Sequence, residues 1–172
     1  MNKKIGFMIS KILTHEQIQH KVKRIAYQIY EANVEESELI IAGIESGGLS
    51  FAKKIVAVLK KITNAKIILC KVVMDKENPL ESGVITSLDT KAYKNKSVVL
   101  VDDVLNSGTT LIYGVHHFLK TPLKQLKTAV LVNRNHKKYP VKADFKGISL
   151  STSLNEHIKV EFKPKNDLVY LA

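Results

Sequence analysis

Two periods of apolar residues run through the chain. Ile18, Val22, Ile25, Ala26 and Ile29 recur at helical spacing. Thr14-His15-Glu16-Gln17 just ahead of them reads as a capping box, and Asn33 as the stop. Leu39 to Gly43 is a short apolar run of the kind found in buried strands. After Gly47-Gly48 a second helix is predicted, carrying Phe51, Ala52, Ile55, Val56, Val58 and Leu59. Ile67–Val73, Val98–Val101 and Thr128–Val132 read as further strands. Thr109 to Leu119 reads as a helix that turns Leu111, Ile112, Val115, Phe118 and Leu119 inward and is stopped by Thr121-Pro122. Residues 75–96, broken by Asn78-Pro79 and Ser82-Gly83, are expected to be loop or irregular, and residues 133–157 are polar and basic. Ile158–Phe162 and Leu168–Leu171 look like edge strands around a turn. Helix and strand patterns alternate, so an α/β fold with a mainly parallel sheet is expected.

Composition narrows the class. A chain of 172 residues with 45% hydrophobic and 25% charged residues suits one domain spanning 1–172 and excludes disordered, collagen-like and coiled-coil classes. No apolar run is long enough to span a membrane as a helix. Met1 to Ile5 carries lysines with no long apolar run after it, so no signal peptide is expected and a cytoplasmic location is. The single cysteine, Cys70, allows no internal disulfide and reads as a packing residue in a strand. The net charge of +11 points to anionic partners, phosphate or nucleic acid, or else to a lysine-rich solvated surface.

The chemistry concentrates in Val98-Val99-Leu100-Val101-Asp102-Asp103-Val104-Leu105-Asn106-Ser107-Gly108-Thr109-Thr110. A buried strand leads into two acids, then a small-residue loop, then a helix start. Ligands in open α/β sheets bind beyond the carboxyl ends of strands, where both carboxylates would emerge. The loop would offer backbone N–H groups and three hydroxyls at a helix N-terminus, an arrangement suited to phosphate. Carboxylates beside a phosphate cradle fit a phosphorylated ribose, whose hydroxyls they would accept. Gly43 to Gly48 has P-loop spacing, but Leu49-Ser50 follows where a P-loop has Lys. The histidines lack metal-site spacing and, His136 apart, read as surface residues, and no protein-only metal site is expected. Arg134, Lys137, Lys138, Lys142 and Lys146, with His136 among them, form the densest basic cluster, which reads either as a solvated loop or as a face for a base, a phosphate or RNA.

The acid-containing segment resembles the phosphoribosyl-diphosphate (PRPP) motif of type I phosphoribosyltransferases. The helix from Thr14 to Asn33, the stretch Val130–Gly147, Ser151-Thr152-Ser153 and Ile158-Lys159-Val160 are similar to the bifunctional pyrimidine-operon attenuation regulator and uracil phosphoribosyltransferase subfamily. The resemblance implies a mainly parallel sheet of about five strands flanked by helices, with a small hood. It implies that Asp102 and Asp103 hold the ribose 2′ and 3′ hydroxyls, that Asn106, Ser107, Gly108, Thr109 and Thr110 cradle the 5′-phosphate, and that Ser46, Gly47 and Gly48 belong to a diphosphate loop. Arg134, His136 and the hood from Asn135 onward would lie near the base, and Mg²⁺ would ride on PRPP. The implied activity transfers phosphoribose to a base, with uracil expected. The alternatives are a nucleotide-sensing regulator that binds leader RNA with little catalysis, or a different base. A homodimer or higher homo-oligomer is expected. Two departures stand out. The diphosphate loop carries Glu45 and Gly47 where the subfamily has a cation, and the lid, residues 74–83, lacks Arg, leaving Lys76 as stand-in.

Overall fold

The computed structural model describes residues 10–153 and 155–172, so the leader reading of Met1 to Ile5 lies outside the described residues. The elements are β1 (Ser10–Leu13), α1 (His15–Glu31), β2 (Glu38–Ile44), α2 (Gly47–Ile62), β3 (Lys66–Met74), α3 (Pro79–Ser82), β4 (Val84–Thr86), α4 (Thr90–Tyr93), β5 (Ser97–Leu105), α5 (Thr109–Leu119), β6 (Gln125–Arg134), β7 (Phe145–Leu150), β8 (Ile158–Glu161) and β9 (Leu168–Leu171). The main sheet has six strands in the order β4-β3-β2-β5-β6-β7. β3, β2, β5, β6 and β7 are parallel, and only the edge strand β4 runs antiparallel, against β3.

The central strands are buried on both faces, and successive residues serve opposite layers. Ile41, Val99 and Leu131 join the α1 and α2 side chains in one core, while Ile40, Leu100 and Val130 pack with Phe118 and Tyr93 in the other. Each such aliphatic side chain taken out of water contributes roughly 1.5–3 kcal/mol. The α1 register is the one expected: Ile18, Val22, Ile25, Ala26 and Ile29 are all buried. Thr14 Oγ1 accepts the Gln17 N–H at 3.4 Å, and Gln17 Oε1 accepts the Thr14 N–H at 2.9 Å, which closes the capping box. Asn33 ends the helix by donating from Nδ2 to the Ile29 carbonyl at 2.8 Å.

A second sheet, β1-β9-β8, is antiparallel and joins the two ends of the described chain, forming the small hood. Buried Asp167, just ahead of β9, ties it to α1 and α2. Its carboxylate accepts from Gln19 Nε2 at 2.7 Å and pairs with Lys54 Nζ at 2.8 Å.

Several expectations are corrected. The hood does not begin at Asn135, because β7 joins the main sheet beside β6. β7 escaped notice because Phe145-Lys146-Gly147-Ile148-Ser149-Leu150 alternates polar and apolar residues, as an edge strand does. Residues 75–96 hold α3, β4 and α4 rather than loop alone. β5 runs on to Leu105, so both acids lie inside the strand and not beyond it. Its pairing with β2 ends at Val101, whereas its pairing with β6 continues to Leu105. Val58 is only partly buried, and Leu119 is 63% exposed rather than inward. No helix among the described residues is long and apolar enough to cross a membrane.

The last turn of α5 gives a direct check. Phe118 is fully buried and Leu119 is exposed. Phe118→Ala is expected to lower stability by about 3–5 kcal/mol and Leu119→Ala by about 0.5 kcal/mol or less, measured by urea unfolding.

Candidate active site

β2 ends beside the acid-bearing stretch of β5, its Gly43 pairing with Val101, and α2 begins three residues after β2. Its first residues, Gly47 and Gly48, rest directly on the acid pair. A Cβ on Gly47 would collide with the Asp103 carboxylate, and one on Gly48 would stand 2.7 Å from the Val101 carbonyl and 2.9 Å from Asp102 Oδ1. Only glycine allows this approach. Ser46 forms no side-chain cap, so the first N–H groups of α2 open beside the carboxylates.

Asp102 is 4% exposed, and its Oδ1 accepts the Asp103 N–H at 3.0 Å. Asp103 Oδ1 accepts the Val104 N–H at 3.0 Å. Lys76 Nζ is 3.6 Å from Asp102 Oδ1. Burial, and then the neighbouring Asp103 charge, push the Asp102 carboxyl from its ordinary 3.8 up to about 8, with Lys76 opposing them. At neutral pH the pair therefore keeps one proton and carries one negative charge, which Lys76 faces. It can accept hydroxyl protons in hydrogen bonds or take up a cation.

The turn from Asn106 to Thr110 follows at the same end. Gly108 has φ +85°, a left-handed conformation that suits glycine, and a Cβ there would press on Val141 Cγ1 at 2.7 Å. The Ser107 carbonyl accepts the N–H groups of Lys138 at 2.8 Å and Tyr139 at 3.2 Å, so the 138–141 segment braces the turn from outside. Ser107 Oγ and Thr109 Oγ1 are 2.9 Å apart. A cavity of about 50 Å³ opens between Asp102, Asn106, Ser107, Gly108 and Thr110 at the start of α5. A larger trough of about 590 Å³, bordered by Ser37, Lys60, Lys61 and Asn64, lies at the opposite end of the strands and contains none of these residues. The smaller cavity is the candidate, because ligands of parallel sheets sit at the carboxyl ends.

The structure thus gathers Gly47, Gly48, Asp102, Asp103, Lys76 and the Asn106–Thr110 turn. Arg134 is 4% exposed and does not stand free toward a ligand. It donates from Nη1 to Asn106 Oδ1 at 3.1 Å, from Nε to Thr152 Oγ1 at 2.6 Å and from Nη2 to the Ser153 carbonyl at 2.6 Å. His136 likewise turns to the Thr152 carbonyl, at 2.6 Å. The expected basic cluster therefore divides. Arg134 is internal, Lys142 pairs with Asp144 at 3.7 Å, and exposed Lys137 and Lys138 sit next to the Ser107 turn.

Lys71 was missed. Its Nζ lies 2.8 Å from Glu45 Oε1, next to Ser46. The available signal was a lysine within the apolar run Ile67–Met74. Among the histidines, His117 is not a surface residue: it is half-buried, 3.3 Å from the Tyr93 hydroxyl, and burial pushes its pKa down. Cys70 is buried, and burial pushes its thiol pKa up.

A family model, the phosphoribosyl transferase domain, matches residues 8–166. The chain belongs to the phosphoribosyltransferase family. The chain is similar to the bifunctional protein PyrR of Clostridium acetobutylicum, 32% identical over 162 residues that cover 90% of each chain. It is also similar to bifunctional protein PyrR of Streptococcus pneumoniae strain CGSP14, 30% identical over 153 residues that cover 87% of this chain and 88% of the relative. Among solved structures, the hypoxanthine phosphoribosyltransferase of Trypanosoma cruzi superposes with a TM-score of 0.76 at 18% identity, covering 94% of this chain and 96% of that one. A hypoxanthine-guanine phosphoribosyltransferase from Bacillus anthracis gives 0.68 at 24% identity, covering 83% of each. At these identities the solved structures establish the shared fold: this phosphoribosyltransferase has the type I architecture.

The raised Asp102 pKa sets a pH signature in this phosphoribosyltransferase. Between about pH 4 and pH 8 the unfolded chain releases this proton while the folded chain keeps it, so the group's contribution to stability falls as pH rises through that window. Asp102→Asn cannot ionise. It is expected to gain stability relative to wild type steadily as pH rises from 4 to 8, with the difference closing toward pH 4. Thermal melts across that range check this, and a difference independent of pH contradicts it.

Proposed function

We propose that this phosphoribosyltransferase moves the 5-phosphoribosyl group of PRPP to uracil, giving UMP and diphosphate. The observation that carries the reading is the pairing of two helix N-termini, those of α2 and α5, with one acid pair between them. A phosphorylated ribose bearing a diphosphate has a complementary layout: an anion at each end and a diol in the middle. In this reading Asp102 and Asp103 accept the ribose hydroxyls. Asn106, Ser107, Gly108, Thr109 and Thr110 bind the 5′-phosphate, and Ser46, Gly47 and Gly48 receive the diphosphate. Arg134 acts through Asn106, whose side-chain carbonyl it holds.

The reaction breaks the bond between the anomeric carbon and diphosphate and forms a bond from that carbon to a base nitrogen, which loses its proton to solvent. Positive charge grows on the sugar and negative charge on the leaving group. The protein's part is to align the reactants and to meet the departing charge with N–H dipoles and lysines. Among the described residues no three His, Cys, Asp or Glu could hold a metal ion together. The Asp102–Asp103 pair can offer oxygens to a hard cation whose shell substrate and water complete, so the residues fit Mg²⁺ carried by PRPP. Bound there, Mg²⁺ would neutralise charge on the diphosphate. Lys76 already reaches Asp102 and is the lid's cation.

Uracil as the base is supported by the resemblance of Val130–Gly147 to the pyrimidine-operon subfamily and by the similarity to the PyrR relatives. A second reading, a nucleotide-sensing regulator that binds leader RNA, is supported by Lys137 and Lys138, exposed beside the Ser107 turn. A homodimer is supported by the exposed apolar side chains of Leu80, Ile85 and Leu119.

The test is incubation with PRPP, Mg²⁺ and uracil, cytosine, hypoxanthine, guanine or adenine in turn, alongside calorimetric binding of UMP. UMP formation with uracil alone is expected. Asp103→Asn should weaken PRPP binding by about 1–3 kcal/mol, the worth of a charge-assisted hydrogen bond. IMP or GMP formation would overturn the base. UMP binding with no turnover on any base would favour the regulator.

A further inference from the structure

We propose that Lys71 is the cation that receives the diphosphate end of the substrate, and that Glu45 competes with the diphosphate for it. The inference rests on the phosphoribosyl-transfer reading and goes beyond it by naming a residue outside the expected motifs. Residues 45–48 contain no cation and one anion, Glu45. A diphosphate approaching the α2 N-terminus therefore meets favourable N–H groups together with an unfavourable carboxylate. Lys71 Nζ, 2.8 Å from Glu45 Oε1, is the charge that offsets it.

The backbone fixes both residues in place. Lys71 is the parallel partner of Gly43. Its N–H donates to Ser87 Oγ at 2.9 Å, and its carbonyl accepts the Ser87 N–H at 2.9 Å. The Glu45 N–H donates to the Val72 carbonyl at 2.8 Å, so the loop is pinned to β3 one residue from Lys71. A Cβ on Gly43 would press on Ala52 Cβ and Leu49 Cα at 2.7 Å, so the first turns of α2 lie tight on the sheet face that Gly43 and Lys71 share. Lys71 therefore reaches the α2 N-terminus from β3.

The side chains, in contrast, are free to exchange partners. Lys71 is 44% exposed and Glu45 is 43% exposed, and an ion pair so open to water is weakly held. A diphosphate oxygen offers more negative charge than one carboxylate and is itself held by the helix N–H groups. Lys71 can transfer to it by side-chain rotation alone. Of the other lysines near the site, Lys76 already faces Asp102, and Lys137 and Lys138 lie by the Ser107 turn after β5. Glu45 then tunes affinity downward, and Lys71 is a binding residue of the site.

Calorimetric titration of the full chain with Mg²⁺-diphosphate, and separately with UMP, tests this. Lys71→Met, which keeps the aliphatic stem, is expected to weaken diphosphate binding about tenfold, the loss of one charge-assisted hydrogen bond, and to leave UMP binding unchanged. Lys71→Arg should stay within about threefold of wild type, since it keeps the charge. Glu45→Gln should tighten diphosphate binding several-fold, and that gain should shrink in the Lys71→Met background, because the competition runs through Lys71. Unchanged diphosphate affinity in Lys71→Met, or equal loss for UMP, overturns the inference while the proposed reaction stands. Weaker binding in Glu45→Gln overturns the competition. Wild type that binds neither probe overturns the proposed reaction itself, and this inference with it.

Discussion

The contact between the first turn of α2 and the two acids at the end of β5 organises everything else at this end of the sheet. It exists because positions 47 and 48 carry no side chains. With a Cβ at either, α2 would have to withdraw from the Asp102 backbone and the Asp103 carboxylate. The approach sets the positive end of a long helix against two carboxylates. It also brings the loop after β2 level with the acids of β5. The cost falls on Asp102, whose burial beside Asp103 lifts its pKa. A buried acid pair is poor for stability, and such sites commonly trade stability for binding.

The supporting residues work at one remove. Arg134 makes three hydrogen bonds, one to Asn106 of the turn and two to the Thr152–Ser153 segment. None of its three partners is an acid, and they link β6, the turn and the segment leading toward the hood. His136 makes a parallel tie to the Thr152 carbonyl. Residues that the resemblance assigns to the base therefore brace the turn from behind. The Lys138 and Tyr139 N–H groups do the same at Ser107. Positive charge on the acid-pair side of the site comes from lysines on or just after β3, namely Lys71 and Lys76.

What the sequence made legible follows from periodicity. Helices α1, α2 and α5 and the central strands declare themselves, since each buries a whole face or both faces. β7 and β1 were hidden because edge strands carry mixed polarity, and β1 is only four residues long. Leu119 was misassigned because the apolar stripe of α5 continues one residue past the last turn that packs. The acids, Gly108 and the glycine pair were readable, because each answers a local chemical need. Arg134's internal role, the half-burial of His117 and the Glu45–Lys71 pair were not. Each depends on which segments come together across long sequence separations, and spacing along one chain does not encode that.

Gly47→Ala tests the central claim most directly, with UMP and PRPP binding compared by calorimetry in the presence of Mg²⁺. In the proposed reading UMP uses the turn after β5 and the acids, whereas PRPP also uses the α2 N-terminus. If α2 closes on the acid pair to receive diphosphate, the added methyl group should abolish or weaken PRPP binding at least tenfold while UMP binding falls far less. PRPP affinity equal to wild type in a folded Gly47→Ala protein would contradict the account.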